Sequence, residues 1–576
     1  MTRHLRLALA FVACTALVAA ACGGEVTESG DDGAAAPTTQ APEAEPETAE
    51  PDATQPDEEP ETEAAAPEPD DEPETEAAAP EPDEEPETEA AAPEPDEEPQ
   101  GPPPNIFDDP RDGIFDEFQA TFDRGDNPFT QLDAFCHTHD PAPDRIATDK
   151  GIEADSISLV HLRSKLEDFA AMGFAVPVGN VAEMYDTFTA VVNEQCGGVR
   201  GRMIEMHTIE LEVLGATVDE DRNAACIQAI EDYDGVILLN SSGFQGSANL
   251  CIVEENETAF ISTQGQSEEF MSRGGDRLIS LSPTLEESLR WLAADLADRG
   301  QLDGKTIGVA APDTPGQYEA VEAGLVDTLN SRGIDVAVFD VIGCAGGTFC
   351  LEGVVESVQR MRSAGIDVFF NVLNVVSTPT YILEMDTQGF EPGDVQFYAS
   401  DFNAHAGELV SSKVVAFGGE AAGNLYNGAL IIDDADTGAY RLEDYEPRPF
   451  NEMCNDTYGA NNPSGANHEN ADRMDGSGSS AYGMVTTVCN IMRTALRAIY
   501  AAGDNPTRAD IYAALANMGP IDSNEMLPFT IRPGKTQAPN AIHTLRFEYP
   551  CTLPSPFGAE NICIVPIDDY RAAPGR

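Results

Sequence analysis

From residue 157 onward, short apolar runs alternate with amphipathic stretches, and few folds accept that alternation. The runs at 157–162, 203–210, 235–242 and 259–263 carry Ile, Val, Leu, Met or Phe without strict alternation of apolar and polar residues. Such runs suit parallel strands buried on both faces. Between them, 181–194, 221–232 and 247–255 read as helices. The pattern restarts with strands at 278–282, 306–311, 335–341, 367–373 and 395–400, and with helices at 285–299, 318–332, 352–364 and around 381–388. A strand at 428–433, helices at 449–458, 481–502 and 508–517, and strands at 529–531 and 542–547 complete the order. Parallel strands need crossover helices, so each series predicts a doubly wound, Rossmann-like α/β lobe. No Pro/Ser-rich break separates 263 from 278, so the two series read as one assembly.

The N-terminus reads as an export signal. Arg3 and Arg6 precede an apolar stretch at 7–21 that is too short to span a bilayer comfortably. It ends in Leu17-Val18-Ala19-Ala20-Ala21-Cys22-Gly23-Gly24, which resembles a bacterial lipoprotein cleavage site and makes Cys22 the expected lipidated first residue. Ala19 departs from the usual leucine, and cleavage after Ala-x-Ala is the alternative; both imply export. Residues 23–100 hold 30 Asp and Glu and no Lys, Arg or His. A unit reading ETEAAAPEPD-x-EP occurs at Glu61–Pro73, Glu74–Pro86 and Glu87–Pro99. So little apolar side chain cannot offset the entropy of ordering, so 22–100 is expected to be a disordered tether. In a polyproline-like state it reaches on the order of 200 Å. The alternative is an acidic partner-binding tail.

Residues 101–576 carry 73 acidic against 29 basic side chains, which argues against nucleic-acid binding. No second run reaches membrane-spanning length. Setting aside Cys14 and Cys22 leaves ten cysteines, an even number for an oxidising compartment. Cys344 and Cys350 flank a Gly-rich turn, and Cys551 and Cys563 flank a Pro-containing reversal. Cys226 and Cys251 fall on helices either side of one strand, and Cys454 and Cys489 on successive helices. Cys136 and Cys196 are left for each other. Zinc is the competing use of these cysteines, but CxxC spacing is absent. Cys136-His137-Thr138-His139 is a short metal-like cluster in which Cys136 is wanted for a disulfide. Asp433-Asp434-Ala435-Asp436-Thr437-Gly438 is similar to a calcium loop without its closing glutamate, so a surface turn is expected. Trp291 is expected in the core. No metal and no cofactor is expected.

The string Asn193-Glu194-Gln195-Cys196-Gly197-Gly198-Val199-Arg200-Gly201-Arg202-Met203-Ile204 ends a helix at a double glycine and turns into a strand. It resembles the N-x-x-GG-x-x-G-R-x-I segment after the first helix of type I periplasmic solute-binding proteins, with the Leu/Ile/Val-binding branch as the nearest relative. The resemblance covers roughly 150–570 and extends to the late phrase AYGMVTTVCNIMRTALRAIYAAGDNPTRADIYAAL. It implies two lobes joined by a three-crossover hinge, with 150–270 and 434–520 in lobe 1 and 271–433 and 521–576 in lobe 2. Residues 101–149 fall outside it as an N-terminal extension, in which Phe115, Phe118 and Phe122 would pack a surface helix.

Ligands of open α/β sheets bind beyond the carboxyl ends of the strands. Ser241 and Ser242 follow the third strand, and Ser262 and Thr263 the fourth. In the family these segments hold the ligand's carboxylate; helix capping is the other reading and is compatible with it. Across the cleft, Gln317, Tyr318, Asn371, Asn374 and Asp401 follow strands of the second lobe. By resemblance, Asp401 would pair with a ligand ammonium and Tyr318 would pack on it; Asp401 as a helix cap is the alternative. Phe169 and Phe174 lie in a loop that meets the ligand in relatives. The family implies an exported, membrane-anchored monomer at the extracellular or periplasmic face. It would bind a branched-chain or other amino acid, an amide or a small carboxylate. It would work with an ABC permease and a separate ATPase, since this sequence holds no P-loop. A sensor of the same fold is the rival reading. A surface hydrolase is disfavoured because GxSxG and HExxH are absent.

Overall fold

The computed structural model describes residues 127–573, apart from 173–177, 216, 346, 375, 402–404, 436, 439–440, 442–448, 467–482, 522, 524–528, 537–540, 554–560 and 569–570. The signal, Cys22, the acidic repeats, Phe115, Phe118, Phe122 and Phe174 lie outside the described residues.

Strands β1 (Ser156–Ser164), β2 (Met203–Leu211), β3 (Ile237–Asn240), β4 (Ala259–Ser262) and β5 (Leu278–Ser280) form a parallel sheet in the order β2-β1-β3-β4-β5. The register runs Ser156↔Met203 between β1 and β2, and Leu159↔Ile237 between β1 and β3. β3 and β4 are buried along their whole length, as their unbroken apolar sequence requires. One face carries helix Val181–Gln195 and the later helices Pro449–Asn461, Val485–Ala501 and Arg508–Ala516. The other carries Val218–Glu231 and the helical turns of 248–255 and Glu268–Gly274.

The second sheet contains β6 (Ile307–Pro312), β7 (Val336–Ile342), β8 (Val368–Asn371), β9 (Gln396–Ser400) and β10 (Leu430–Asp433). These five repeat the parallel order of the first sheet, as β7-β6-β8-β9-β10. Two strands, β11 (Gly519–Ile521) and β12 (Phe529–Ile531), pair with each other. Then β13 (Ala541–Glu548) adds antiparallel to β10, and β14 (Cys563–Pro566) and β15 (Arg571–Ala572) add antiparallel to β13. Helices flank both faces, with Leu285–Asp298 and the helical stretch 317–331 on one side. Val354–Ala364, Thr378–Thr387 and Lys413–Tyr426 cover the other. The chain crosses between lobes after β5, after β10 and after β12, so the fold is two doubly wound lobes with three crossovers.

Two stretches sit on the other side of the expected lobe boundaries. β5 pairs with β4 through Phe260↔Leu278, so the first lobe runs past 270 to Ser280. Helix Glu268–Gly274 supplies the crossover that a parallel β5 requires, and it is too short to show helical periodicity. Ile521, Phe529 and Ile531 are buried in the first lobe's core, which carries that lobe beyond 520.

The glycine-rich motif has a local explanation. Asn193 donates to Ile204 O at 2.9 Å and accepts from Ile204 N at 2.8 Å, tying the helix end to β2. Gly198 has φ 74°, and a Cβ there would meet Arg202 O at 2.1 Å. Arg202 is 1% exposed and donates to Glu153 O, Asp504 O, Ile146 O and Asn505 Oδ1 at 2.6–3.1 Å. Its guanidinium thus fastens the segment before β1 to the loop before helix Arg508–Ala516. Residues 127–149 pack on the first lobe, with Phe135 stacked on Phe188 and Arg493 donating to Phe129 O. Disulfides join Cys136–Cys196, Cys226–Cys251, Cys344–Cys350, Cys454–Cys489 and Cys551–Cys563.

Candidate ligand cleft

Both sheets present strand carboxyl ends to a shared cavity of about 620 Å³, a volume suited to a small molecule. From the first lobe, Ser241, Ser242 and Gly243 follow β3, and Thr263, Gln264 and Gly265 follow β4. The turns are fixed internally. Asn240 donates to Leu162 O and Ser242 O, Thr263 Oγ1 donates to Ser241 O, and Gln264 N donates to Ser262 Oγ. These bonds leave the Ser242 hydroxyl at the cavity wall, with no hydrogen bond to it among the described residues. Arg222, on helix Val218–Glu231, pairs with Asp219 at 3.0 Å and donates to Gly243 O and Gln245 O. It holds the turn after β3 in shape.

The second lobe contributes Asn374, Asp401, Asp433 and Asp434. Asn374 donates to Thr348 O and accepts from Ser377 N, so its amide is largely committed to the loop. Asp401 Oδ1 accepts from Ala406 N at 2.7 Å, a local cap, while the residue lines the cavity. One carboxylate oxygen from each of Asp401, Asp433 and Asp434 lies within 4.8 Å of the other two. Burial, then the charges of Asp433 and Asp434, push the Asp401 carboxyl well above its usual range. Burial and Asp433 push Asp434 up to about 8. Asp433 Oδ2 is 2.8 Å from His543 Nε2, both side chains being buried.

The lobes touch across the rim. Phe169 and Val213 of the first lobe pack with Val376 and Phe349 of the second. Thr348 Oγ1 donates to Val213 O at 2.8 Å, and Gln317 Nε2 to Gln245 Oε1 at 3.1 Å.

Of the nine expected ligand residues, the cavity wall brings together Ser241, Ser242, Thr263, Asn374 and Asp401. Ser262 and Asn371 are buried beneath it, the first capping a turn and the second bonded to Thr378. Gln317 bridges the lobes instead of lining the cavity. Tyr318 is 36% exposed and is not among the residues that line the cavity. Left-handed Gly316 starts the helix at Gln317, whose buried face is Gln317, Ala320 and Val321; Tyr318 lies about 100° round from Gln317. Trp291 is 2% exposed in the core, as expected, and also borders the cavity. Arg222, Gln245, Asp433 and Asp434 were missed. Nothing local marks the first two, whereas the acidic pair was visible but read as a surface turn.

Two facing doubly wound lobes with a ligand-sized cavity at their strand ends define a type I solute-binding protein. Residues 182–547, more than half of the chain, match the family described as periplasmic binding protein, and the chain belongs to that family. Similar solved structures include a solute-binding protein of an ABC transporter from Rhodopseudomonas palustris in complex with 4-hydroxybenzoate. It is 14% identical, with a TM-score of 0.52 over 73% of this chain and 98% of that one. A fatty acid ABC transporter substrate-binding protein from Thermomonospora curvata is also 14% identical, with a TM-score of 0.52 over 75% and 96%. A branched chain amino acid ABC transporter protein from Thermus thermophilus with bound valine is 12% identical, with a TM-score of 0.49 over 72% and 97%. At these identities the likeness is one of fold. No curated protein sequence matches the chain.

Proposed function

We propose that this chain is the solute-binding lipoprotein of an ABC importer and that its cleft takes a small solute bearing a carboxylate, such as an amino acid or a small organic acid. The observation that carries the reading is the cavity itself. Strand-end hydroxyls and turns of one lobe face carboxylates of the other across about 620 Å³, with apolar wall from Phe169, Val213, Val376 and Trp291. The solute carboxylate rests against Ser242 and the turn after Thr263, and the opposite end faces Asp401. Contacts to both lobes exist only when the lobes are together, so the solute stabilises the closed state by that difference. A permease reads the closed shape and a separate ATPase drives transport. Cys22 carries the anchor, and 22–100 space the lobes away from the membrane.

A thermal-shift screen of amino acids and small carboxylates tests the reading, because a ligand of the folded state raises the midpoint. Calorimetry on the best hit then compares Ser242→Ala. Loss of one hydrogen bond to a charged group weakens binding by about tenfold or more. A full set of carboxylates without a shift, or equal affinity in the variant, removes this solute class.

A further inference from the structure

Asp433 ends β10 and Asp434 follows it, in a sequence that looks like an incomplete calcium loop. The fold supplies a further carboxylate from elsewhere in the chain. β10 runs parallel to β9 with Ile432 opposite Ser400, so the residue after β9, Asp401, lands beside the acidic pair. The three carboxylates each direct one oxygen to within 4.8 Å of the other two. A second observation is independent of that crowding. The Asp433 side chain is fully buried, its Oδ2 is taken by His543, and its Oδ1 has no hydrogen-bond partner. A buried carboxylate oxygen without a donor is costly. Among the described residues lining the cavity, the only cation is Arg222, which is paired with Asp219 on the opposite lobe.

We propose that Asp401, Asp433 and Asp434 form a binding site for a hard divalent cation, best matched by calcium, at the point where the chain leaves β10 to cross between lobes. All-oxygen, carboxylate-rich donor sets select calcium, magnesium or manganese over zinc or copper. Calcium–oxygen distances of about 2.3–2.6 Å let ligating oxygens stand up to about 5 Å apart, whereas magnesium at about 2.0–2.1 Å keeps them nearer about 4 Å. The three oxygens, all within 4.8 Å of one another, lie inside calcium's reach, and its adaptable coordination suits a site with positions left open. His543 fixes the orientation of Asp433, as outer partners of metal ligands commonly do. Calcium takes about 6–8 oxygens, so three carboxylates leave positions open toward the cavity. Water fills them in the absence of solute, and an oxygen at the end of the solute that faces Asp401 displaces that water. An acidic wall thereby becomes receptive to an anion, which deepens the proposed function: with calcium bound, the cleft favours plain carboxylates over ammonium-bearing solutes.

The cation step is tested without any solute, so its outcome is separate from that of the solute reading. The exported protein is stripped with a chelator, and calcium chloride is titrated at constant ionic strength by calorimetry and thermal melting. Wild type is expected to bind one calcium ion and to melt at a higher temperature than in chelator. Asp434→Asn keeps the strand and the rest of the acidic surface but removes one ligand. It is expected to lose roughly tenfold or more in calcium affinity. In chelator it should melt no lower than wild type, since it carries one repelling charge fewer; this separates a lost ligand from a damaged fold. An unchanged wild-type melting temperature in calcium, or the same gain in Asp434→Asn, overturns the site.

Discussion

Glu286 provides a quantitative test of the junction between lobes. It lies in the first turn of helix Leu285–Asp298, which packs in the second lobe's core. Its Oε1 accepts from Glu268 N at 2.9 Å, on a helix whose Phe270 and Met271 belong to the first lobe's core. Arg290 clamps the Glu268 carboxylate at 2.9 and 3.1 Å beside it. Glu286 is 5% exposed and its Oε2 lacks a partner, and burial pushes its carboxyl from 4.5 up to about 7. The folded state therefore binds this proton more tightly than the unfolded chain. The stabilising contribution is complete below about pH 4.5 and is lost as pH rises through about 7. A displacement of this size corresponds to about 3 kcal/mol. Glu286→Gln keeps the acceptor for Glu268 N and removes the ionisation. Urea unfolding with disulfides intact, at intervals from pH 4 to pH 8, should show the variant gaining about 3 kcal/mol on wild type across that range. Parallel stability curves for the two proteins would refute the reasoning.

Three further outcomes are expected. Arg202→Met orphans buried carbonyls on both sides of the guanidinium and should cost about 3 kcal/mol or more, whereas Arg200→Met, at a partly exposed pair with Asp504, should cost about 1 kcal/mol; equal losses in urea melts would contradict the burial argument. Replacing Cys136 and Cys196 together by Ser opens a loop of sequence separation 60, which chain entropy values at about 4 kcal/mol, and a loss below about 1 kcal/mol would mean that packing of 127–149 alone holds that segment. Cys22→Ala should release the protein from membranes or leave it unprocessed, and unchanged membrane retention would remove the anchor.

The double winding of both lobes was legible because buried parallel strands leave unbroken runs of Val, Ile and Phe, as at 237–240 and 368–371. The glycine-rich motif was legible because its turn needs left-handed residues and Asn193 bonds within it to Ile204, whereas the partners of Arg202 at Ile146, Glu153, Asp504 and Asn505 come from elsewhere in the chain. The disulfide flanking the turn at 344–350 is local as well. Helix Glu268–Gly274 was not legible: a short helix with two leading glutamates and a glycine end has no periodicity to read. Its absence displaced β5 into the wrong lobe.

Sequence by itself determined most of the strands and helices, Glu268–Gly274 and Lys413–Tyr426 excepted, because side-chain periodicity and turn chemistry act over a few residues. The same local chemistry selected the strand-end turns at Ser242 and Thr263. Only the tertiary structure decided which strand ends meet. Asp401 and Asp433 are far apart along the chain and share a wall because β9 and β10 pair in register. Tyr318 fell outside the cleft and Arg222 entered it through helix orientation, which is set by the packing of whole faces. The burial that moves Glu286 and Asp434 from ordinary carboxylates also exists only after the lobes assemble, since desolvation is a property of the surroundings and not of the residue.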